Sequence, residues 1–421
     1  MGWVPFFKSR YDLGFCLNLM PPHKRSSLPA VTGVRFFLAL WVISLHMGTA
    51  NSSFRGVVDG SPSWIRGTID SGASAVGVFF LLSGFVLAYN YDLGTAWSMS
   101  KRVRFWTTRF ARIYPVYLFA LVLGFPSLAI GIFKSGHFHA GAFAGASTAV
   151  LLLVQAWIPH DALFWNGPGW SLSVEAFFYL CFPFIGRLLW KVERRVSLLF
   201  TFIFLWIAAC GSSYEIADWK AHWFLSHSSG IVLDTTWSQV IKFDPLVRLP
   251  EFLAGIVLCK IFLSIERRPT ALLGPGRGTL TYLLGLALGL IVVSQGDRMP
   301  PAVLHDGLLM PASAAVILGL SFGGGLIWRW LSRPVIVILG QVSYAMYLLH
   351  MPLYTYFAAV DKRVVRNAVE DWALFVIFVI SLIALCCVTF YKLEEPSRRA
   401  ILNAFYPTKP RVREELPLHT P

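Results

Sequence analysis

Along this chain of 421 residues, apolar positions come in long uninterrupted blocks, without the alternation of half-buried strands or the one-sided stripe of a surface helix. The blocks fall near 29–47, 73–90, 113–133, 142–157, 171–190, 196–212, 246–264, 278–294, 308–328, 335–357 and 371–391. A helix needs roughly 20 residues to cross about 30 Å of hydrocarbon. The block at 142–157 is marginal by that measure, and the others reach it or nearly do. The pattern predicts an all-α, polytopic transmembrane helical bundle of about ten spans, with one re-entrant or broken segment near 142–157 packed in protein.

Positive charge arbitrates between ten and eleven crossings. Residues 1–27 carry Lys8, Arg10, Lys24 and Arg25 without a clean apolar stretch and small-residue cleavage site, which reads as a basic cytoplasmic tail rather than a signal peptide. With that tail inside, the second span delivers Lys101, Arg102, Arg104, Arg109 and Arg112 to the cytoplasm, in keeping with the positive-inside rule. If 142–157 crosses, then Lys191, Arg194, Arg195, Arg267, Arg268, Arg398 and Arg399 all fall outside; if it does not, all fall inside. Ten crossings with both termini cytoplasmic are therefore expected. The stretch 358–370, with Lys362, Arg363 and Arg366, fits poorly, because this scheme puts it outside. No internal repeat or linker divides the chain, so 28–400 is expected to be one transmembrane domain, followed by a cytoplasmic tail over 401–421.

Composition agrees and narrows the function classes. With 56% hydrophobic and 14% charged residues, the chain has too few charges to coat a soluble globule. A net charge of +14 would suit nucleic acid, but the cations sit in short runs between apolar blocks, as orienting charges do, so nucleic acid is excluded as a partner and the lipid bilayer is implied. Cys16, Cys181, Cys210, Cys259, Cys386 and Cys387 lie mostly within apolar segments and lack metal-ligand spacing, so neither a disulfide framework nor a metal site is expected.

Polar residues inside the spans carry the chemistry. Arg35 and His46 are eleven residues apart, three helical turns, so they share a face while differing in depth by about 16 Å. By the charge-based topology His46 reaches the outer half of the membrane, together with Glu175, Arg248, Glu251 and His350. Ionisable groups facing lipid are costly, so these are expected to face one another or a water-filled cavity, and two histidines with two glutamates read as an acid–base site. Simpler readings stand beside this one. Arg35 near a helix end also snorkels to headgroups, a neutral histidine is often structural, and Arg248 with Glu251 is also a pair within one helix.

The inner side differs. "KRVRFWTTRFARIYP" (101–115) sets Arg102, Arg104, Arg109 and Arg112 before a span, at a density that suits bidentate phosphate recognition as well as helix orientation. Beside it "FFLLSGFVL" (79–87) brings Ser83 and Gly84, where small residues admit a slender ligand or another helix. The external loop, about 213–245, holds Trp219, His222, Trp223, His227 and Trp237, which suit either sugar stacking or an interfacial aromatic belt. Cations on one leaflet and a histidine–carboxylate set on the other suggest group transfer from a phosphorylated cytosolic donor to an outside acceptor. The rival readings are a proton-coupled transporter or flippase, and a receptor or scaffold without chemistry.

At this point a family resemblance enters. "TGVRFFLALWVISLH", "GVFFLLSGF", "RFARIYPVY", "GPGWSLSVEAFFYL", "RLPEFLAGI", "VSYAMYLLHMP" and the late "LEEP" occur in an order and spacing that resembles the acyltransferase-3 family of integral membrane acyltransferases over about residues 28–400. The resemblance implies ten membrane helices, an acyl-CoA donor, most simply acetyl-CoA, entering from the cytoplasm as co-substrate, and no permanently bound cofactor. It implies O-acylation of an extracytoplasmic glycan or glycolipid, such as a polysaccharide or lipopolysaccharide, at a bacterial inner membrane. It makes His46 the expected catalytic base and Arg35 its motif partner. Glu175 is carried over at the W-S-L-S-V-E position, Ser83 in the F-F-x-x-S-G motif, and Arg109 and Arg112 in the arginine motif that would hold CoA phosphates. Taken with the intramembrane residues, the expected catalytic pair is His46 and Glu175, and Arg35, Ser83, Arg109, Arg112, Arg248, Glu251 and His350 are expected to bind substrate. One departure is Thr32, where members commonly carry an acidic residue. No C-terminal hydrolase-like domain is expected.

Overall fold

The computed structural model describes residues 27–48, 58–135, 138–227, 239–240, 242–266, 275–294, 307–360 and 371–407. The basic N-terminal tail up to residue 26, most of the poorly fitting 358–370 stretch and the chain after 407 lie outside them. Of the expected external loop, Trp237 lies outside the described residues, and Trp219, His222, Trp223 and His227 are described in backbone only.

Every regular element among the described residues is helical. In chain order they are α1 (Pro29–Met47), α2 (Ser63–Asp70), α3 (Ser74–Asn90), α4 (Met99–Ser135), α5 (Ala140–Leu151), α6 (Gly169–Trp190) and α7 (Arg195–His227). There follow α8 (Pro245–Glu266), α9 (Pro275–Ser294), α10 (Met310–Phe322), α11 (Gly325–Leu331), α12 (Pro334–Val360), α13 (Asp371–Thr389) and α14 (Glu395–Phe405), with a π-helical turn, Phe390–Glu394, joining the last two. Local chemistry sets the ends. Pro29 opens α1 where a missing N–H costs nothing, and the Gly48 N–H closes it onto the Ser44 and Leu45 carbonyls.

Among the described residues seven helices are long and apolar enough to cross a membrane, so this is a multi-pass membrane protein; an eighth candidate is the bent pair α10–α11. That pair turns through 81°. Gly323, Gly324 and Gly325 adopt φ of +81°, +104° and +78°, a left-handed run that only glycine takes at little cost, and this breaks the block read as a straight span at 308–328. The two further spans in the expected ten are α8, which carries Arg248, Glu251, Lys260 and Glu266, and the apolar part of α7, Arg195–Gly211, which is short. Length and composition thus return a smaller number than charge did. At 142–157 the apolar block is broken, though more than half of α5 is exposed rather than packed in protein. The 12 residues of α5 extend only about 18 Å, and Leu153 turns with φ of +58° into a 3-10 turn and an irregular stretch that reaches Pro168.

The core is built around α8, which packs on α3, α6 and α7. A Cβ at Gly84 would strike the Phe252 carbonyl, and one at Gly255 the Leu81 carbonyl, so the α3 and α8 backbones touch. The α1–α12 contact uses the same device: a Cβ at Gly340 would strike the carbonyl of Thr32. These two close packings hold α1, α3, α8 and α12 in fixed register, and those helices carry most of the residues singled out above.

Candidate active site

A cavity of about 320 Å³ opens between α1, α3, α4, α6, α12 and α14, near the lower end of the roughly 300–1,000 Å³ typical of ligand sites. Arg35, Ser83, Arg109, Arg112, Glu175, Tyr179, Tyr344, Tyr347 and Arg398 line it. The arginines reach it because Arg109 and Arg112 are three apart on α4 and so share a face, while Arg35 and Arg398 come from α1 and α14. Arg102 and Arg104, from the same basic run, lie instead over the rings of Phe184 and Tyr406, outside the cavity lining.

Three of the four guanidinium groups that line the cavity have a partner beside them. Arg109 donates to the Tyr91 hydroxyl at 3.3 Å and lies within 6.0 Å of the Tyr91, Phe105 and Tyr179 ring centroids, a cation–π cage. Arg112 lies 3.5 Å from Glu394, which is fully buried, and the Glu394 carboxylate has no hydrogen bond among the described residues. Arg398 is held by Glu395 at 2.7 Å. Arg112 and Arg398 are 25% and 17% exposed, whereas Tyr347 is buried.

Glu175 sits among these cations. It accepts a hydrogen bond from Ser83 Oγ at 3.0 Å and another from the Tyr179 hydroxyl one turn along α6. The charge-based topology put Glu175 beside His46; the structure puts it beside Ser83 instead. Helix α6 starts at Gly169, with the irregular 152–168 stretch before it, so Glu175 lies about 9 Å into the helix, with the arginines.

His46 meets a second imidazole. His350 Nε2 and His46 Nδ1 are 2.9 Å apart, with ring centroids at 5.0 Å and 24° between planes. His350 is fully buried, and its Nδ1 lies 2.7 Å from the carbonyl oxygen of Tyr347, the residue whose side chain lines the cavity. The two histidines are therefore brought together as expected, without either glutamate.

Arg248 and Glu251 pair with each other at 3.7 Å, both buried. The Arg248 guanidinium lies 5.8 Å from the ring centroids of Phe80 and Trp170, and the Glu251 carboxylate fills the space a Cβ at Gly77 would take. They form a separate intrahelical pair and do not line the arginine cavity. Ser83 faces the cavity while its neighbour Gly84 serves helix contact, which resolves the two readings of that motif.

No site role is expected from the sequence for Tyr179, Tyr344, Tyr347 or Glu394, and Arg398 counts there only as an orienting charge. The signals were present. Tyr179 is four residues from Glu175, Tyr347 three from His350, and Glu394 belongs to the "LEEP" run.

Comparison with known proteins decides the family. The model described as an acyltransferase domain, acyltransferase-3, matches residues 28–391. The chain belongs to this acyltransferase family. It is 32% identical to acyltransferase MdmB of Streptomyces mycarofaciens over 352 residues, covering 80% of this chain and 81% of that protein. It is 27% identical to the exopolysaccharide production protein ExoZ of Rhizobium meliloti (strain 1021) over 300 residues, 66% of this chain and 75% of that one. With a Staphylococcus aureus (strain COL) protein named for a proposed O-acetyltransferase activity it shares 22% over 383 residues, 81% of this chain and 56% of that protein, so it spans little more than half of that relative. No solved structure matches. Membership of this family makes the chain an acyl-transferring enzyme.

Proposed function

We propose that this acyltransferase moves an acyl group, most simply acetyl, from cytosolic acyl-CoA to a hydroxyl of an extracytoplasmic glycan or glycolipid. It would act from the bacterial inner membrane with both termini cytoplasmic. One observation carries this reading: four arginines converge on one cavity, and Tyr347, which also lines it, accepts at its carbonyl from His350, the partner of His46. The names of the relatives, for exopolysaccharide production and O-acetyl transfer, support the acceptor and acyl classes.

Arg35, Arg109, Arg112 and Arg398 then face the phosphates of the donor. The slender pantetheine arm runs along Ser83 and Tyr344 and presents the thioester toward His46. Glu175 offsets part of the arginine charge and fixes the Ser83 and Tyr179 hydroxyls. This gives it an organising role in place of the catalytic one expected from its motif position. At the far end an unprotonated ring nitrogen of His46 accepts the proton of the acceptor hydroxyl as its oxygen attacks the thioester carbonyl. A C–O bond forms, the C–S bond breaks, and the proton passes to the departing thiolate, so ester and free CoA leave in equal amounts.

Membranes from cells expressing the protein, supplied with radiolabelled acetyl-CoA, test this. The expected result is label in a base-labile ester on membrane glycan with equimolar free CoA, and a loss of about 10²- to 10⁴-fold in His46→Ala that remains inserted. Unchanged transfer in His46→Ala removes His46 from the chemistry. Wild-type membranes that release no CoA and label no ester favour a transporter.

A further inference from the structure

We infer that His350 is a positioning residue that sets the tautomer of His46, holding its proton on Nδ1 and leaving Nε2 as the basic nitrogen. The inference rests on the proposed acyl transfer for its purpose, and on hydrogen-bond geometry alone for its content.

The argument starts at the Tyr347 carbonyl. A carbonyl oxygen only accepts, so His350 Nδ1, 2.7 Å away, must be the donor. A neutral imidazole carries one N–H, and full burial favours the neutral form, since a charged ring at zero exposure forfeits its hydration. His350 Nε2 is then a bare acceptor. At 2.9 Å from it, His46 Nδ1 must supply the hydrogen. A neutral His46 with its proton on Nδ1 carries its lone pair on Nε2, the nitrogen that can take a proton from an acceptor hydroxyl. Histidine free in water favours the opposite tautomer, with the proton on Nε2, so the bundle reverses the solution preference.

The same region shows why His350 is placed firmly enough to do this. Pro352, inside α12, has no N–H, which leaves the Leu348 carbonyl without its usual helical partner. The Asn166 side-chain amide donates to that carbonyl at 3.1 Å, from the irregular stretch before α6. Trp165 beside it takes a φ of +69° and donates its indole N–H to the Leu121 carbonyl at 2.8 Å. The helical turn that carries His350 is thus pinned from α12 by Tyr347 and from the 152–168 stretch by Asn166. An imidazole in this place does for His46 what the buried carboxylate does in a hydrolase triad, fixing tautomer and ring orientation, without adding a charge at a buried position.

The test uses full-length protein in lipid nanodiscs, with two substitutions. His350→Phe keeps the ring volume and removes the acceptor; His350→Gln keeps an acceptor oxygen. The expected kinetics are a fall in kcat of roughly 10²- to 10⁴-fold for His350→Phe with the KM for acetyl-CoA unchanged, the scale of a general base held in the wrong tautomer, and recovery of most of the rate in His350→Gln. Nitrogen-15 NMR of histidine-labelled protein, with the His46 signals assigned by their loss in His46→Ala, reads the tautomer directly. It is expected to show the proton on Nδ1 in the wild type and in His350→Gln, and on Nε2 in His350→Phe. Wild-type His46 protonated on Nε2 overturns the inference, as does His350→Phe with wild-type kcat. The NMR arm needs no turnover, so failure of the wild type to transfer acetyl groups counts against the enzymatic reading, and a proton on the other nitrogen counts against this one.

Discussion

Glu394 illustrates how single residues divide structural from ligand duties. It is buried without a hydrogen bond among the described residues, and Arg112 at 3.5 Å offsets its charge from the cavity side. Removing one partner of a buried pair leaves the other uncompensated, at a cost of about 3–5 kcal/mol. Arg112→Ala is therefore expected to lower the thermal unfolding midpoint and raise the KM for acetyl-CoA. The double variant Arg112→Ala with Glu394→Gln is expected to regain the midpoint but not the KM, measured on detergent-solubilised protein. A KM that recovers with the midpoint assigns Arg112 to structure alone. At this scale the motif residues were legible in the sequence: Arg35, Ser83, Arg109 and Arg112 share one cavity, and His46 with His350 forms one pair. The company of Glu175 was not legible. The block at 171–190 located α6 closely, but hydropathy does not say which neighbouring helix a given turn faces, and Glu175 turns to Ser83 on α3.

Helices meet here through glycine, and that is where the fold is most brittle. On α3 and α8 the backbones approach so closely that a Cβ at Gly255 would enter the Leu81 carbonyl. Gly255→Val is expected to separate the two helices, costing about 1–3 kcal/mol from overpacking, and to lower the yield of folded protein by fluorescence-detected gel filtration, even though Gly255 does not line the arginine cavity. Wild-type yield and midpoint in Gly255→Val would show that the contact is not tight. The apolar blocks located nearly every helix, because a continuous run of side chains compatible with lipid has few other structural solutions. They did not show the break at Gly323–Gly325, where backbone conformation, not hydropathy, decides. The spacing of Arg248 and Glu251, three apart on α8, did offer the pair within one helix that the structure forms.

For the whole molecule the account is one of sidedness. Helix α1 carries Arg35 at the arginine end of the cavity and His46 about 16 Å further along, and α12 brings His350 to meet it. Charge along the sequence assigned the arginine end to the cytosol, and this orientation is the central claim of the proposed reaction. Membrane vesicles of opposite orientation, each given radiolabelled acetyl-CoA from outside, test it most directly. Inverted vesicles, with the cytosolic face outward, are expected to incorporate label into glycan ester that resists an added esterase until the vesicles are opened, while right-side-out vesicles incorporate none. Label entering right-side-out vesicles equally well, or product exposed on the same face as the donor, would contradict it.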